Sequence, residues 1–402
     1  MTTGTESTIA SRWTRVDLVF VLIFVLAIAL RVYLAFTLPY IHDEENNAIP
    51  LARLISFTPG QLNLPLRGEN HPALPAYVAK ASGALFGTTP QGYRALHVAL
   101  GLGGLLMLYR LARQWYGPLA ACWAAAFFAF NQYFATVSSR VTAHAPYFFL
   151  VIAAIFAFSS FLRWQKPAYL YVSGLAVGLA FYCKEHSALL LPLFFLTLLL
   201  PGYRRWLRTP FPYLAAAVFV AVIGADLYWN LTTDRQTARV SYGDQVAQQA
   251  TYASHLERIG GLGVSPYPAM FYGREVVEAL YRRVTGNALY DDTVEYPSLN
   301  PALGALLLGL VLFTSFRPPA SDGARGYLLM IFWGLFLFFT FIAKGDPPGR
   351  LAPVSWMWVD ITLIPAVVLS GARLVDVKGW WRAAAWTGAL AVLLFDVWRT
   401  VA

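Results

Sequence analysis

"DLVFVLIFVLAIALRVYLAFTLPYIHDEENNAIP", residues 17–50, decides the fold class. It opens with an apolar run over 17–38, broken in its interior only by Arg31. A helix needs about 20 apolar residues to cross a hydrocarbon core of about 30 Å. Three consecutive carboxylates, Asp43, Glu44 and Glu45, follow where such a helix would leave the bilayer. Arg12 and Arg15 precede the run and no small-residue cleavage site follows it, so the segment reads as a start-transfer helix rather than a signal peptide.

The same pattern recurs along the chain. Of 402 residues, 58% are hydrophobic and 13% are charged, roughly half the charged share of a soluble domain. Apolar runs at 17–38, 94–112, 117–136, 145–163, 168–183, 187–201, 211–230, 299–316, 327–343, 352–372 and 383–399 predict an all-α polytopic membrane protein of about 11 transmembrane helices. Aromatic residues make up 16% of the chain, with Trp and Tyr crowded near run ends as in interfacial belts. The net charge of +9 comes from basic loop ends, and the absence of any basic block argues against nucleic-acid binding. Cys122 and Cys183 both fall inside predicted spans, so neither a disulfide framework nor a thiolate metal site is expected.

Short loops with Arg110, Arg113, Arg163, Lys166, Arg204, Arg205 and Arg208 alternate with acidic segments. The positive-inside rule then places the N-terminus in the cytoplasm and the C-terminus outside. Two segments are too long for connectors, 39–93 and 226–298, and both fall on the outer face. The expected organisation is an N-terminal transmembrane module over 1–225, whose first outer loop (39–93) includes a short amphipathic stretch at Ala48–Phe57. An extracytoplasmic domain over 226–298 and a C-terminal transmembrane module over 299–402 follow. No internal repeat is visible, which weakens a transporter built on duplicated halves.

The carboxylate triplet has two readings. Asp43 can cap a helix starting at Glu44, with acids placed at its positive end. Alternatively, one acid is a general base whose neighbours orient a hydroxyl or amine. Other polar groups gather on the same predicted face. They are Glu69, Asn70, His71 and Lys80; Arg140 and His144 in "SSRVTAHAPYFF" (138–149); Lys184, Glu185 and His186 in "FYCKEHSALLLP" (181–192); and Lys344, Asp346 and Arg350 in "AKGDPPGRLAP" (343–353). Each has a bland alternative: a turn histidine, a snorkelling arginine, a self-paired Lys–Glu loop. Together they offer carboxylates for proton abstraction and cations suited to a lipid phosphate. No P-loop, zinc-protease motif or Gly-x-Ser-x-Gly elbow occurs, which argues against a soluble nucleotide donor or a serine hydrolase. Three carboxylates could hold a divalent metal, although no full ligand set is evident, so a divalent metal stays open and no other cofactor is called for.

The order of these motifs resembles that of GT-C class membrane glycosyltransferases, specifically the protein O-mannosyltransferase and aminoarabinose-transferase group. "DEENNA" is similar to that group's Asp-Glu followed by Ala, and "ENHPAL" to its His-Pro-Pro-Leu stretch. "GYRALHVALG" resembles its Arg-containing second helix, "SSRVTAHAPYFF" its Ser-Arg segment, and "AFYCKEHSALLLPL" its Lys-containing turn. The resemblance implies a GT-C-like bundle with helical outer loops, and transfer of a sugar from a polyprenyl-phosphate carrier to an envelope lipid, glycan or protein, with inversion. It implies Asp43 as base with Glu44 in support, and Lys184, Arg350 and Arg140 at the lipid phosphate. Glu45, His71, His144, Glu185 and His186 would meet the sugar or acceptor. The chain departs from the group at "TAHAP", where many relatives carry an acid and this one has His144. The competing expectation is a non-catalytic flippase for polyprenyl-linked lipids. Ionisable residues deep in spans would mark it, and Asp360 fits, with Arg31 and Asp396 nearer span ends.

Overall fold

The computed structural model describes residues 15–41, 43–66, 72–232, 264, 267–286, 299–316, 325–342 and 355–401. Apart from one isolated bridge between Ser56 and Asn63, the regular structure among them is helical. In chain order the helices are α1 (Arg15–Thr37), α2 (Ile49–Leu54), α3 (Leu74–Phe86), α4 (Pro90–Phe130), α5 (Gln132–Val137), α6 (His144–Trp164) and α7 (Ala168–Phe181). They continue as α8 (Leu190–Leu198), α9 (Phe211–Thr232), α10 (Tyr267–Thr285), α11 (Pro301–Phe316), α12 (Arg325–Phe341), α13 (Leu363–Asp376) and α14 (Trp380–Val401). Among the described residues α1, α4, α6, α9 and α14 contain stretches long and apolar enough to cross a membrane, and four shorter apolar helical stretches accompany them.

Side-chain contacts give the helices their directions. Near the start of α1, Asp17 accepts from the Tyr109 hydroxyl and pairs with Arg113. Near its end, the Ala35 carbonyl accepts from Arg94. The first arm of α4 therefore runs opposite to α1. At Gly117 the backbone leaves helical geometry (φ 82°, ψ 177°) and Pro118 follows, a left-handed step that glycine takes without a Cβ clash. Beyond it, Cys122 donates to the Val16 carbonyl and Arg31 to the Phe128 and Ala129 carbonyls, so the second arm runs alongside α1. The two apolar runs predicted at 94–112 and 117–136 are thus the two arms of one reversing element.

The later helices follow suit. Gly174 and Gly178 of α7 face Ala215 and Val222 of α9, and a Cβ on Gly174 would sit 2.3 Å from the Ala215 oxygen. Two glycines four apart let these parallel helices touch backbone to backbone. Tyr133 meets Asp360 while Trp123 meets Ser370, so α13 runs against the second arm of α4.

Arg31 shows how buried charge is tolerated. It is fully buried, and donates to Ser138 Oγ and two main-chain carbonyls, each at 2.9 Å. Buried ionised groups persist only when bonded in this way. Asp396 is likewise held by Asn131 Nδ2 and the Gln132 amide, both at 2.7 Å.

Several predicted boundaries shift. The run at 352–372 is not one helix: residues 355–362 form a 3₁₀ turn and α13 then extends to Asp376. The run at 187–201 likewise begins as a 3₁₀ turn, Glu185–Leu189, before α8. The stretch expected at Ala48–Phe57 contains α2 (Ile49–Leu54), and a π-helical turn, Asp43–Ala48, leads into it. Helix α9 continues to Thr232, past the boundary expected at 225. Of the predicted outer domain, residues 226–232, 264 and 267–286 are among those described.

One end of the bundle collects Arg113, Arg163, Arg204 and Arg373, beside Asp17, Trp115, Leu199 and Phe313 respectively. The opposite end gathers the π-helical turn, α2, α3, the 138–144 segment and the Lys184 turn.

Candidate functional site

The site end is built around two buried carboxylates. Glu44, in the π-helical turn, is fully closed to solvent. Arg94 grips it at two points, Nε to Oε1 at 2.8 Å and Nη2 to Oε2 at 2.7 Å. The same guanidinium donates to the carbonyls of Ala35, Leu38 and Pro39, tying the end of α1 to the loop that follows. Thr89 caps α4 by accepting from the Gly92 amide, which fixes the helix start at Pro90, one turn before Arg94. A bidentate fork of this kind fixes orientation as well as charge. Glu44 Oε1 also accepts from the Val141 amide at 2.9 Å.

Of the other two acids, Glu45 is exposed, and the Asp43 backbone belongs to the π-helical turn while its side chain lies outside the described part. His71 and Arg350 also lie outside the described residues, as do Lys344 and Asp346.

The second carboxylate is Asp360, also fully buried. Lys184 Nζ donates to its Oδ2 at 2.8 Å and the Tyr133 hydroxyl at 3.0 Å. His144 Nε2 lies 3.7 Å from Oδ2 and His186 Nε2 lies 3.9 Å from Oδ1. Lys184 also sits 5.1 Å from the centre of the Tyr147 ring. Three of the residues expected at the site, Lys184, His144 and His186, thus converge on a carboxylate that sequence reasoning had set apart as a span charge. Glu185 starts the 3₁₀ turn after Lys184 and is partly exposed.

Both carboxylates are tied to the stretch between α5 and α6. Ser138 accepts from Arg31, Val141 donates to Glu44, and His144 approaches Asp360. The turn is tightened internally, because Ser139 bonds the Ala135 carbonyl and Thr142 the Val137 carbonyl. Arg140 lies in this stretch and is buried. A shallow, open cleft lies against this stretch at Val141–Ala143, lined also by Asn47, Leu51, Pro72, Pro75 and Ala76. The cleft therefore adjoins the turn that carries Asp43.

Sequence reasoning missed Arg94 and Tyr133 as members of this site. Arg94 had a visible signal, an arginine at the outer start of an apolar run following a carboxylate triplet. Tyr133 had none. Among the described residues no group of three or more His, Cys, Asp or Glu is arranged to hold a metal ion, and Lys184 already occupies the cation position at Asp360.

Residues 70–229 match the family model of dolichyl-phosphate-mannose-protein mannosyltransferases. No curated protein sequence matches the chain. Among solved structures, ArnT from Cupriavidus metallidurans bound to undecaprenyl phosphate aligns with a TM-score of 0.61 at 17% identity, over 93% of this chain and 62% of ArnT. The Archaeoglobus fulgidus oligosaccharyltransferase tethered to an acceptor peptide aligns with a TM-score of 0.54 at 14% identity, over 94% of this chain and 54% of that enzyme. At such identities the likeness is one of fold. The chain is an integral membrane protein that shares the fold of ArnT, and it spans about three-fifths of ArnT's length.

Proposed function

We propose that this protein is a membrane glycosyltransferase that moves a sugar from a polyprenyl-phosphate carrier to an envelope acceptor on the extracytoplasmic side. The observation that carries the reading is the convergence on residues 138–144. One short segment is bonded to the Asp43–Ala48 turn through Glu44 and adjoins the Lys184 turn through Asp360 and His144. That arrangement puts a loop bearing a candidate base and a turn bearing a candidate phosphate ligand on opposite flanks of one support. The match over 70–229 covers this segment and the Lys184 turn, and supports the same chemistry.

In the reaction we envisage, the Asp43 carboxylate takes the proton of an acceptor hydroxyl or amine. The acceptor attacks the anomeric carbon, the bond from that carbon to the carrier phosphate breaks, and configuration inverts. Lys184 stabilises charge on the departing phosphate, joined by Arg350 and Arg140. Asp360 keeps the Lys184 ammonium oriented in the interim, and Glu44 positions the turn rather than reacting, since Arg94 and the Val141 amide occupy both its oxygens. His144 and His186 flank the Lys184–Asp360 pair, where sugar hydroxyls would be bonded, with Glu45, His71 and Glu185 at the approach.

The flippase alternative would call on ionisable groups free to bind cargo or protons. Arg31 and Asp396 are instead bonded to main-chain and amide groups of neighbouring helices. The experiment is Asp43→Asn in proteoliposomes carrying a polyprenyl-phosphate sugar. Transfer is lost while folding and donor binding are retained; undiminished turnover would sink the assignment.

A further inference from the structure

The basic end of the bundle carries a second feature that the transfer chemistry does not use. Between α6, α7, α8 and α9 lies a shallow apolar groove, open along one side and lined by Phe158, Leu170, Phe194, Leu198, Pro212 and Ala216 among others. Its walls are set by packing already described. Phe158 and Phe194 stack with centroids 4.2 Å apart, and Gly174 brings α7 against Ala215 of α9. The one hydroxyl in the lining, Ser173, donates to the Ala154 carbonyl at 3.0 Å, so it does not make the groove polar. Leu196, Leu199 and Leu214, which flank it on α8 and α9, are exposed on the surface that faces lipid.

The groove ends at Leu198 and Pro212, and the chain joining those residues is the 3₁₀ turn Arg204–Arg208. Arg204, Arg205 and Arg208 are all exposed there, beside exposed Arg163 and Lys166 at the α6–α7 turn. From Arg163 to Gly224 the sequence holds one acid, Glu185, and it sits at the other end of the bundle. Among the described residues, the acids at this end are engaged elsewhere, Asp17 by Arg113 and Asp376 by Arg373. Arg204 Nε holds the Leu199 carbonyl and Arg205 Nη2 holds Gln165 Oε1, which plants both side chains at the mouth of the groove with further donors facing outward.

We propose that this end binds one anionic glycerophospholipid, its acyl chain in the groove and its phosphate on the Arg204–Arg208 turn. Lipid tails are as apolar as the lining, so the groove alone would not choose among lipids; the arginines supply the choice. The occupant is a bulk membrane lipid. The polyprenyl-phosphate donor would present its phosphate at the opposite end, beside Lys184.

The test uses the full chain, purified in detergent and stripped of lipid, titrated with phosphatidylglycerol or phosphatidylcholine of identical acyl chains and followed by native mass spectrometry. One phosphatidylglycerol is retained preferentially, and the preference falls by about fivefold for each arginine removed in the series Arg204→Gln, Arg205→Gln, Arg208→Gln. Ala216→Phe, which fills the groove and leaves the arginines in place, lowers retention of both lipids. Equal retention of the two lipids by the unaltered chain overturns the proposal, as does a preference that survives loss of all three arginines. Full displacement by inorganic phosphate would identify a simple anion site, and one-for-one displacement by undecaprenyl phosphate would identify a donor-tail site; either also overturns it.

Discussion

Arg94 and Glu44 meet in a two-point ion pair closed to solvent, 50 residues apart in the chain, with the guanidinium also bonded to three carbonyls at the end of α1. This joint sets where the first loop leaves the membrane helix. Arg94→Met leaves a buried, unpaired carboxylate and is expected to lower stability by about 3–5 kcal/mol. Adding Glu44→Leu recovers much of that loss without restoring sugar transfer. Thermal unfolding in detergent and a transfer assay on the same preparations separate the two effects. Full activity in the recovered double variant would remove Glu44 and Arg94 from any positioning role.

Lys184 and Asp360 call for the same logic with a different outcome. Lys184→Met strands Asp360 and destabilises the bundle, again by about 3–5 kcal/mol. Lys184→Met with Asp360→Leu regains stability, yet turnover stays depressed because the proposed phosphate ligand is gone. Asp360→Asn alone leaves the buried Lys184 ammonium without its counter-charge, so it is expected to lower stability as well and, because Lys184 is less firmly oriented, to raise KM for the lipid donor. Donor titrations against each variant check this, and a normal KM in Asp360→Asn would count against the orienting role.

The cleft beside the π-helical turn offers a separate handle. Asn47 stands on its rim and is only partly buried. Asn47→Trp narrows the cleft with little effect on the melting temperature, and raises KM for the acceptor but not for the donor. An unchanged acceptor KM would place the acceptor elsewhere.

Gly174 tests the fold rather than the chemistry. Gly174→Val drives a side chain into the Ala215 carbonyl, 2.3 Å from where its Cβ would stand. Overpacking of this kind costs about 1–3 kcal/mol, measured as a lower unfolding midpoint. Gly224→Val, at a glycine with nothing within 4 Å of its would-be Cβ, serves as the control.

Much of this architecture was legible in the residue pattern. Apolar runs marked most of the helices, and the short basic stretch around Arg113 followed by Gly117 and Pro118 marked the reversal in α4. Lys184, His144 and His186 were legible as polar groups breaking apolar runs. Their shared partner was not, because Asp360 lies 176 residues beyond Lys184 and only tertiary packing brings the two together. Nor could the sequence rank the acids of "DEENNA". Glu44 and Glu45 are identical in type and adjacent, yet one is sealed against Arg94 and the other faces solvent. Local pattern also misjudged backbone geometry, since the π-helical turn and the 3₁₀ turns at Glu185–Leu189 and Ser355–Thr362 arise where tertiary bonds outweigh regular α-helical periodicity.

The bonds made by Val141 and His144 have one more consequence. The loop that carries Asp43 and the turn that carries Lys184 are linked through Glu44 on the Val141 amide and Asp360 beside His144, and those two anchors stand three peptide links apart. Inserting one residue between Val141 and His144 would lengthen that span by up to about 3.5 Å, more than a hydrogen bond can absorb. The lengths of the surrounding loops can drift, but this ruler cannot be recut without moving the Glu44 turn relative to the Lys184–Asp360 pair.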